Sequence, residues 1–337
     1  MNELTYPDDL DFMDAESLMC TPMPDIRYHI RGLLPQGTHL LCGAPKVGKS
    51  WLSLWLAVQL SRGAPVWDLP TERCGVLYLC LEDTLARVKD RLYRITDEVP
   101  DTLHLCTYCR EVRFGLEQQL ERYLIQYPQT KVIIIDTLQK VRGESSDSGS
   151  VYRTDYRDIA ALKSFGTEMG VSFLLVHHLR KMQDDSDPFN MISGSNGLSG
   201  AVDSMFLLYK DKRTENTARF IATGRDTEMQ ELRLKFENCV WQMLERTTGE
   251  LPQEEPIPPE LQAVVDFARE KRIWSGSATE LCAMLAERGI QAAPTQITKI
   301  LGRFAGSWLQ KQNIGYAVSR NRSSRTLSLY TFEPVTA

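Results

Sequence analysis

Eight consecutive residues, Gly43-Ala44-Pro45-Lys46-Val47-Gly48-Lys49-Ser50, constrain this 337-residue chain more tightly than any other stretch. They fit G-x-x-x-x-G-K-[ST], and their flanks supply the context that such a loop needs. Thr38 to Cys42 reads as a short buried strand. Trp51 to Leu60 is an apolar run of helix length, stopped by Gly63 and Pro65. A strand that feeds a glycine loop and then a helix N-terminus gathers backbone N–H groups and the positive end of the helix dipole at one point, which suits phosphate. Gly43, Ala44, Pro45, Lys46, Val47, Gly48, Lys49, Ser50 and Trp51 are therefore expected to cradle a nucleoside triphosphate. Lys49 is expected to reach the β- and γ-phosphates, and the Ser50 hydroxyl to ligate Mg2+.

A phosphate cradle alone does not hydrolyse anything quickly. Hydrolysis needs an acid to orient the metal, a group to position water and a cation for the transition-state charge. Lys131-Val132-Ile133-Ile134-Ile135-Asp136 is a buried strand ending in a carboxylate, and Asp136 is the expected metal-side acid. Gly75 to Asp83 is a second buried strand ending in acids. Glu82 is expected to polarise water, with Asp83 as an alternative N-cap for the helix that follows. Val171 to His178 is a third, ending in paired imidazoles, one of which would lie within reach of a γ-phosphate.

Apolar runs alternating with amphipathic segments from about 26 to 245 indicate an α/β fold with a mostly parallel sheet, antiparallel edge strands and helices on both faces. Strands are expected at 38–42, 75–81, 102–106, 131–136, 171–177, 202–209, 217–223 and 230–236, and helices at 49–62, 84–95, 115–126 and 154–169. Residues 1–25, acidic and rich in Met and Pro, read as a loosely ordered lead-in. Residues 26–248 form the expected ATPase domain, and 249–259 a Pro-rich linker. Residues 260–337, with three helical patterns and a hairpin, look like a small winged-helix module. From 256 onward there are ten Lys or Arg against six Asp or Glu, a net of +4 in a chain of net −5. Lys299, Arg303, Arg320, Arg322 and Arg325 fall on its third helix and hairpin tip, where they suit phosphate contacts.

The mild overall acidity excludes binding nucleic acid by bulk charge alone. No apolar run reaches the roughly 18 residues needed to span a bilayer, and Met1 to Asp14 has no signal-peptide character, so a cytoplasmic protein without membrane contact is expected. Eight scattered cysteines read as a reduced, mostly buried set. Cys106-x-x-Cys109 is followed by no second pair at zinc-site spacing.

P-loop, acid-ended strand, Asp-ended strand and polar-ended strand, in that order, resemble the RecA-like P-loop NTPase core. Leu33-Leu34-Pro35-x-Gly37, the P-loop, Leu77-Tyr78-Leu79-x-Leu81-Glu82-Asp83, His177-His178 and Gly194-Ser195 resemble more closely the RepA-type hexameric replicative helicases and their AAA_25 relatives on plasmids, phages and integrated elements. The resemblance covers roughly 26–245. It implies ATP hydrolysis coupled to DNA translocation and unwinding by a homo-oligomeric, hexameric ring. It also implies that Glu82 is the catalytic glutamate, Asp136 the metal-side acid and His178 the γ-phosphate sensor. Arg225, with Arg213 as the fallback, would reach a neighbour's nucleotide. Loops 141–153 and 180–197 would face single-stranded DNA. Two alternatives remain open on the residues: an ATP-switched DNA-binding or regulatory ATPase, and a recombinase-like filament ATPase.

Overall fold

The computed structural model describes residues 12–23, 25–142, 151–179, 189, 196–210, 212, 214–249, 256–321 and 324–332. The chain divides into two units. One is Ile26–Pro252, and the other joins the residues up to Asp25 with Gln253–Ala337.

The lead-in differs from the expectation of a loosely ordered segment. Residues Ala15–Cys20 form a short helix, α1, capped by Asp14, whose carboxylate accepts from the Ser17 N–H at 2.9 Å. An acidic N-cap with Glu16 in the first turn complements the helix dipole. This helix groups with the C-terminal part of the chain.

The larger unit begins with a small antiparallel pair, β1 (Tyr28–Ile30) and β2 (Leu34–Pro35). There follow β3 (Thr38–Gly43), α2 (Lys49–Arg62), β4 (Gly75–Cys80), α3 (Leu85–Ile95), β5 (Leu103–Cys106), α4 (Leu116–Gln126), β6 (Thr130–Asp136), α5 (Val151–Met169), β7 (Ser172–His178), α6 (Asn196–Ala201), β8 (Ser204–Tyr209), β9 (Thr217–Gly224), β10 (Gln230–Glu237) and β11 (Val240–Thr248). Nine of the strands form one sheet in the order β11-β10-β9-β8-β3-β7-β6-β4-β5. From β5 to β8 neighbours are parallel, and β8 through β11 are antiparallel.

Side-chain alternation along the strands builds two cores. Leu41, Tyr78, Ile134, Leu174 and Val176 face α2, which is apolar on every side because it packs between the sheet and other elements. Leu40, Leu79, Ile133, Ile135, Phe173 and Leu175 face α4, α5 and α6. The same parity puts Asp136 and His178 on the α2 side and sends His177 to the other.

The smaller unit contains α7 (Pro259–Lys271), β12 (Ile273–Gly276), α8 (Ala278–Ala286), α9 (Pro294–Phe304), β13 (Ile314–Asn321) and β14 (Ser324–Thr331). Its sheet runs β12-β14-β13, all antiparallel, over a core that includes Val264, Phe267, Leu281, Ile297, Leu301 and Leu327. β12 is not apparent in the sequence, because Ile-Trp-Ser-Gly is only four residues long and shows no apolar–polar alternation, although its residues alternate between exposed and half-buried in the fold. Helix α1 lies against α9.

Candidate functional site

The P-loop strand and the Asp136 strand are not neighbours. β7 lies between them, with Gly43 level with His178 and Asp136 level with Val176. β4 flanks β6 with Cys80 level with Asp136, so Glu82 follows two residues past the same edge. Every acid and imidazole expected from the sequence therefore arrives at the carboxyl edge of the parallel strands, where α/β sheets bind ligands.

Gly48 caps α2 at φ 110° with no side-chain acceptor, which leaves the start of the helix open to an anion. A Cβ on Gly43 would stand 2.7 Å from the Leu208 carbonyl oxygen, so only glycine lets the loop leave the strand this closely. Lys49 is buried and folded back over the loop. Its Nζ donates to the Gly43 and Ala44 carbonyls at 2.8 and 3.0 Å and lies 3.1 Å from His178 Nδ1. Burial lowers its pKa to about 8, with the Asp136 charge opposing the shift. Burial, and then the Lys49 charge, lower the pKa of His178 as well. An ammonium can only donate, so the charged Lys49 makes His178 Nδ1 the acceptor of this contact.

Asp136 is buried and raised in pKa by that burial. Two donors hold it: the Ser50 hydroxyl, and the Tyr78 hydroxyl at 2.8 Å. Two hard oxygen ligands, Ser50 and Asp136, thus touch each other at the mouth of the amide cradle. That donor set fits Mg2+, which needs few protein ligands when phosphates and water complete its shell. Glu82 is exposed at the edge and accepts from Thr137 Oγ1 at 3.2 Å. Asp83 does not cap α3. Thr84 does, accepting from the Arg87 N–H, while Asp83 pairs with Arg87 at 2.8 Å and Arg91 at 2.5 Å. A carboxylate facing two guanidinium groups is better satisfied there than at a helix terminus.

Arg225 lies elsewhere. β9 runs antiparallel to β8, pairing Gly224 with Ser204, which is level with His39 at the start of β3. Arg225 is thus at the far end of the sheet from the P-loop, roughly 15 Å along the strands. It is 64% exposed and 3.6 Å from Asp203, whose carboxylate also accepts from the Thr38 N–H at 3.0 Å and from Lys163. Arg213, most of loops 141–153 and 180–197, and Arg322 lie outside the described residues, as does the side chain of Arg320. Lys299 and Arg303 are exposed on α9, whereas Arg325 pairs with Glu16 of α1 at 3.1 Å. Phe189, in the second of these loops, packs against the core on the α4 and α5 side.

Two site residues carry no role expected from the sequence. Tyr78 belongs to the strand pattern, but a fully buried tyrosine needs a partner for its hydroxyl, and Asp136 is that partner. Trp241 on β11 is buried beneath the loop. Its ring would meet a Cβ on Gly48 at 3.0 Å, and its Nε1 donates to the Gly48 carbonyl at 3.3 Å. Nothing local in the sequence pairs residue 241 with residue 48.

This strand order, with a P-loop, a Ser50–Asp136 pair and an acid-ended neighbour strand, defines a RecA-like P-loop NTPase. A family model for AAA domains, AAA_25, matches residues 6–184, more than half of the chain. The chain belongs to that family. Among solved structures, one described as an ATPase domain matches with a TM-score of 0.52 at 16% identity, covering 62% of this chain and 85% of that one. A DnaB-like replicative helicase, described with its interactions with primase, matches with a TM-score of 0.51 at 17% identity, over 64% of this chain and 58% of that one. At these identities the likeness is one of fold. No curated protein matches the sequence. Among the described residues, no helix is long and apolar enough to cross a membrane.

Proposed function

We infer that the chain is an ATPase whose copies assemble head to tail into a hexameric ring and couple hydrolysis to movement along single-stranded DNA, as a RepA-like replicative helicase of a mobile element. The observation that carries this reading is a division of labour across the sheet. Lys49, Ser50, Asp136, Glu82 and His178 share one edge, while Arg225 is exposed at the other and cannot reach its own subunit's phosphates. A cation so placed suits a neighbour's nucleotide, and a contact between two different surfaces builds a ring where its rotation closes and a filament where it does not.

In this reading the loop amides and Lys49 hold the phosphates. Ser50 and Asp136 hold Mg2+, which would neutralise phosphate charge. Glu82, steadied by Thr137, orients and deprotonates the attacking water. His178, touching Lys49 at the end of β7, would report the γ-phosphate to the segment that follows. The C-terminal unit, with its helix, strand, two helices and hairpin, is read as a winged-helix module that offers Lys299 and Arg303 to nucleic acid.

Steady-state ATP hydrolysis with and without single-stranded DNA, for the wild type and Glu82→Gln, tests the proposal. DNA-stimulated turnover that Glu82→Gln abolishes while still binding nucleotide is the expected result. Slow turnover indifferent to DNA would overturn the motor reading in favour of a nucleotide-switched binding protein.

A further inference from the structure

A cavity of about 510 Å3 opens at the same sheet edge, on the opposite face from α2. Its walls come from two segments. The β5–α4 connection contributes Tyr108, Arg110 and Phe114, and the turn after Asp136 contributes Lys140. Leu81, the residue before Glu82, forms part of its floor. The Leu81 N–H donates to the Asp136 carbonyl at 2.8 Å, so one backbone hydrogen bond between neighbouring strands ties the floor to the metal-side acid.

Two features mark this cavity as a binding site. Tyr108 is 75% exposed and Phe114 60% exposed, so neither ring is used by the core. Arg110 and Lys140 are exposed and pair with no acid among the described residues, and Glu111 is the one carboxylate in the lining. Aromatic faces beside unpaired cations suit bases and phosphates of a single strand. The volume suits a ligand of nucleotide size. Lys140 also stands directly before loop 141–153, the first of the loops expected to face DNA.

We propose that this cavity binds single-stranded nucleic acid, stacking a base on Tyr108 or Phe114 and holding phosphates with Arg110 and Lys140. The proposal deepens the motor reading and rests on it. It adds a contact from the β5–α4 connection, outside the two loops identified from the sequence. Because Leu81 joins the cavity to Glu82 and Asp136, a strand seated there would bear on the catalytic edge without entering the nucleotide cleft.

Fluorescence anisotropy of a labelled oligothymidylate, with full-length protein and a non-hydrolysable ATP analogue, tests the assignment. The double variant Tyr108→Ala/Phe114→Ala should weaken binding roughly tenfold or more and leave DNA-free ATP hydrolysis unchanged. Tyr108→Phe, which keeps the ring, should bind as the wild type does. Lys140→Ala should reduce the slope of log affinity against log salt by about 0.7. Wild-type binding that survives the double substitution overturns the cavity assignment and leaves the motor reading intact. Failure of the wild type to bind at all overturns both. Weaker binding accompanied by a smaller assembly in light scattering would make the cavity an interface between copies and also overturn the assignment.

Discussion

Lys49 shows how much a single environment can set. An exposed lysine stays charged far above neutral pH, but burial beneath the P-loop brings this one to about 8, against the opposing pull of Asp136. Phosphates arriving beside it favour the ammonium and raise the pKa again. The protein with nucleotide bound therefore holds more protons near pH 8 than the free protein, and affinity should fall as pH rises through about 8. Calorimetry of nucleotide binding in buffers of different ionisation enthalpy should show proton uptake at about pH 8, and a buffer-independent heat would contradict it. Lys49→Ala should lose turnover altogether. Tyr78 acts in the complementary direction: its hydroxyl helps keep a buried carboxylate in place at 2.8 Å without adding a charge.

Among the elements, β11 has the largest effect that local patterning hides. It follows β10 after only Asn238 and Cys239, both at positive φ (51° and 63°), the geometry of a tight hairpin turn. Asn-Cys lacks the glycine that usually announces such a turn, and most of β11 is exposed or half-buried, so the sequence pattern indicates no strand there. Its one deeply buried side chain is Trp241, which supports Gly48 and whose carbonyl accepts from Trp67 Nε1 at 2.9 Å. Trp241→Ala should cost about 3–5 kcal/mol, read from the midpoint of denaturant unfolding. Trp241→Phe should cost far less in stability yet weaken nucleotide binding, because the ring remains while the donor to the Gly48 carbonyl is lost. Equal nucleotide affinity in Trp241→Phe and the wild type would limit Trp241 to packing.

For the whole molecule, the arrangement of the two sheet ends makes the proposed site incomplete in one copy. Arg225→Ala should bind nucleotide normally and hydrolyse it about 10³–10⁵ times more slowly. Turnover per subunit should rise steeply with protein concentration as copies associate. Full activity in a strictly monomeric preparation would remove the case for an arginine acting across subunits. Arg325 adds a second constraint at this scale: its pairing with Glu16 engages one of the basic groups expected to meet nucleic acid.

The P-loop, the type of nearly every core element and the residues that end the parallel strands are legible in the chain alone, because each rests on local chemistry. Glycine spacing sets the loop, period-2 alternation sets the strand faces, and period 3.6 sets the helices. That is enough to mark Lys49, Ser50, Glu82 and Asp136 as candidates from their positions and to offer the pair His177 and His178 at a third strand end, with His178 singled out by the family resemblance. What those positions mean to one another depends on long-range packing. It inserts β7 between β3 and β6, which brings His178 to Lys49. It brings Tyr78 to Asp136 and Trp241 to Gly48, sends Arg225 to the far end of the sheet, and gathers Tyr108, Phe114 and Lys140 around one cavity. Strand order and register follow from which apolar faces pack together across long separations in the chain, and no short window of sequence carries that information.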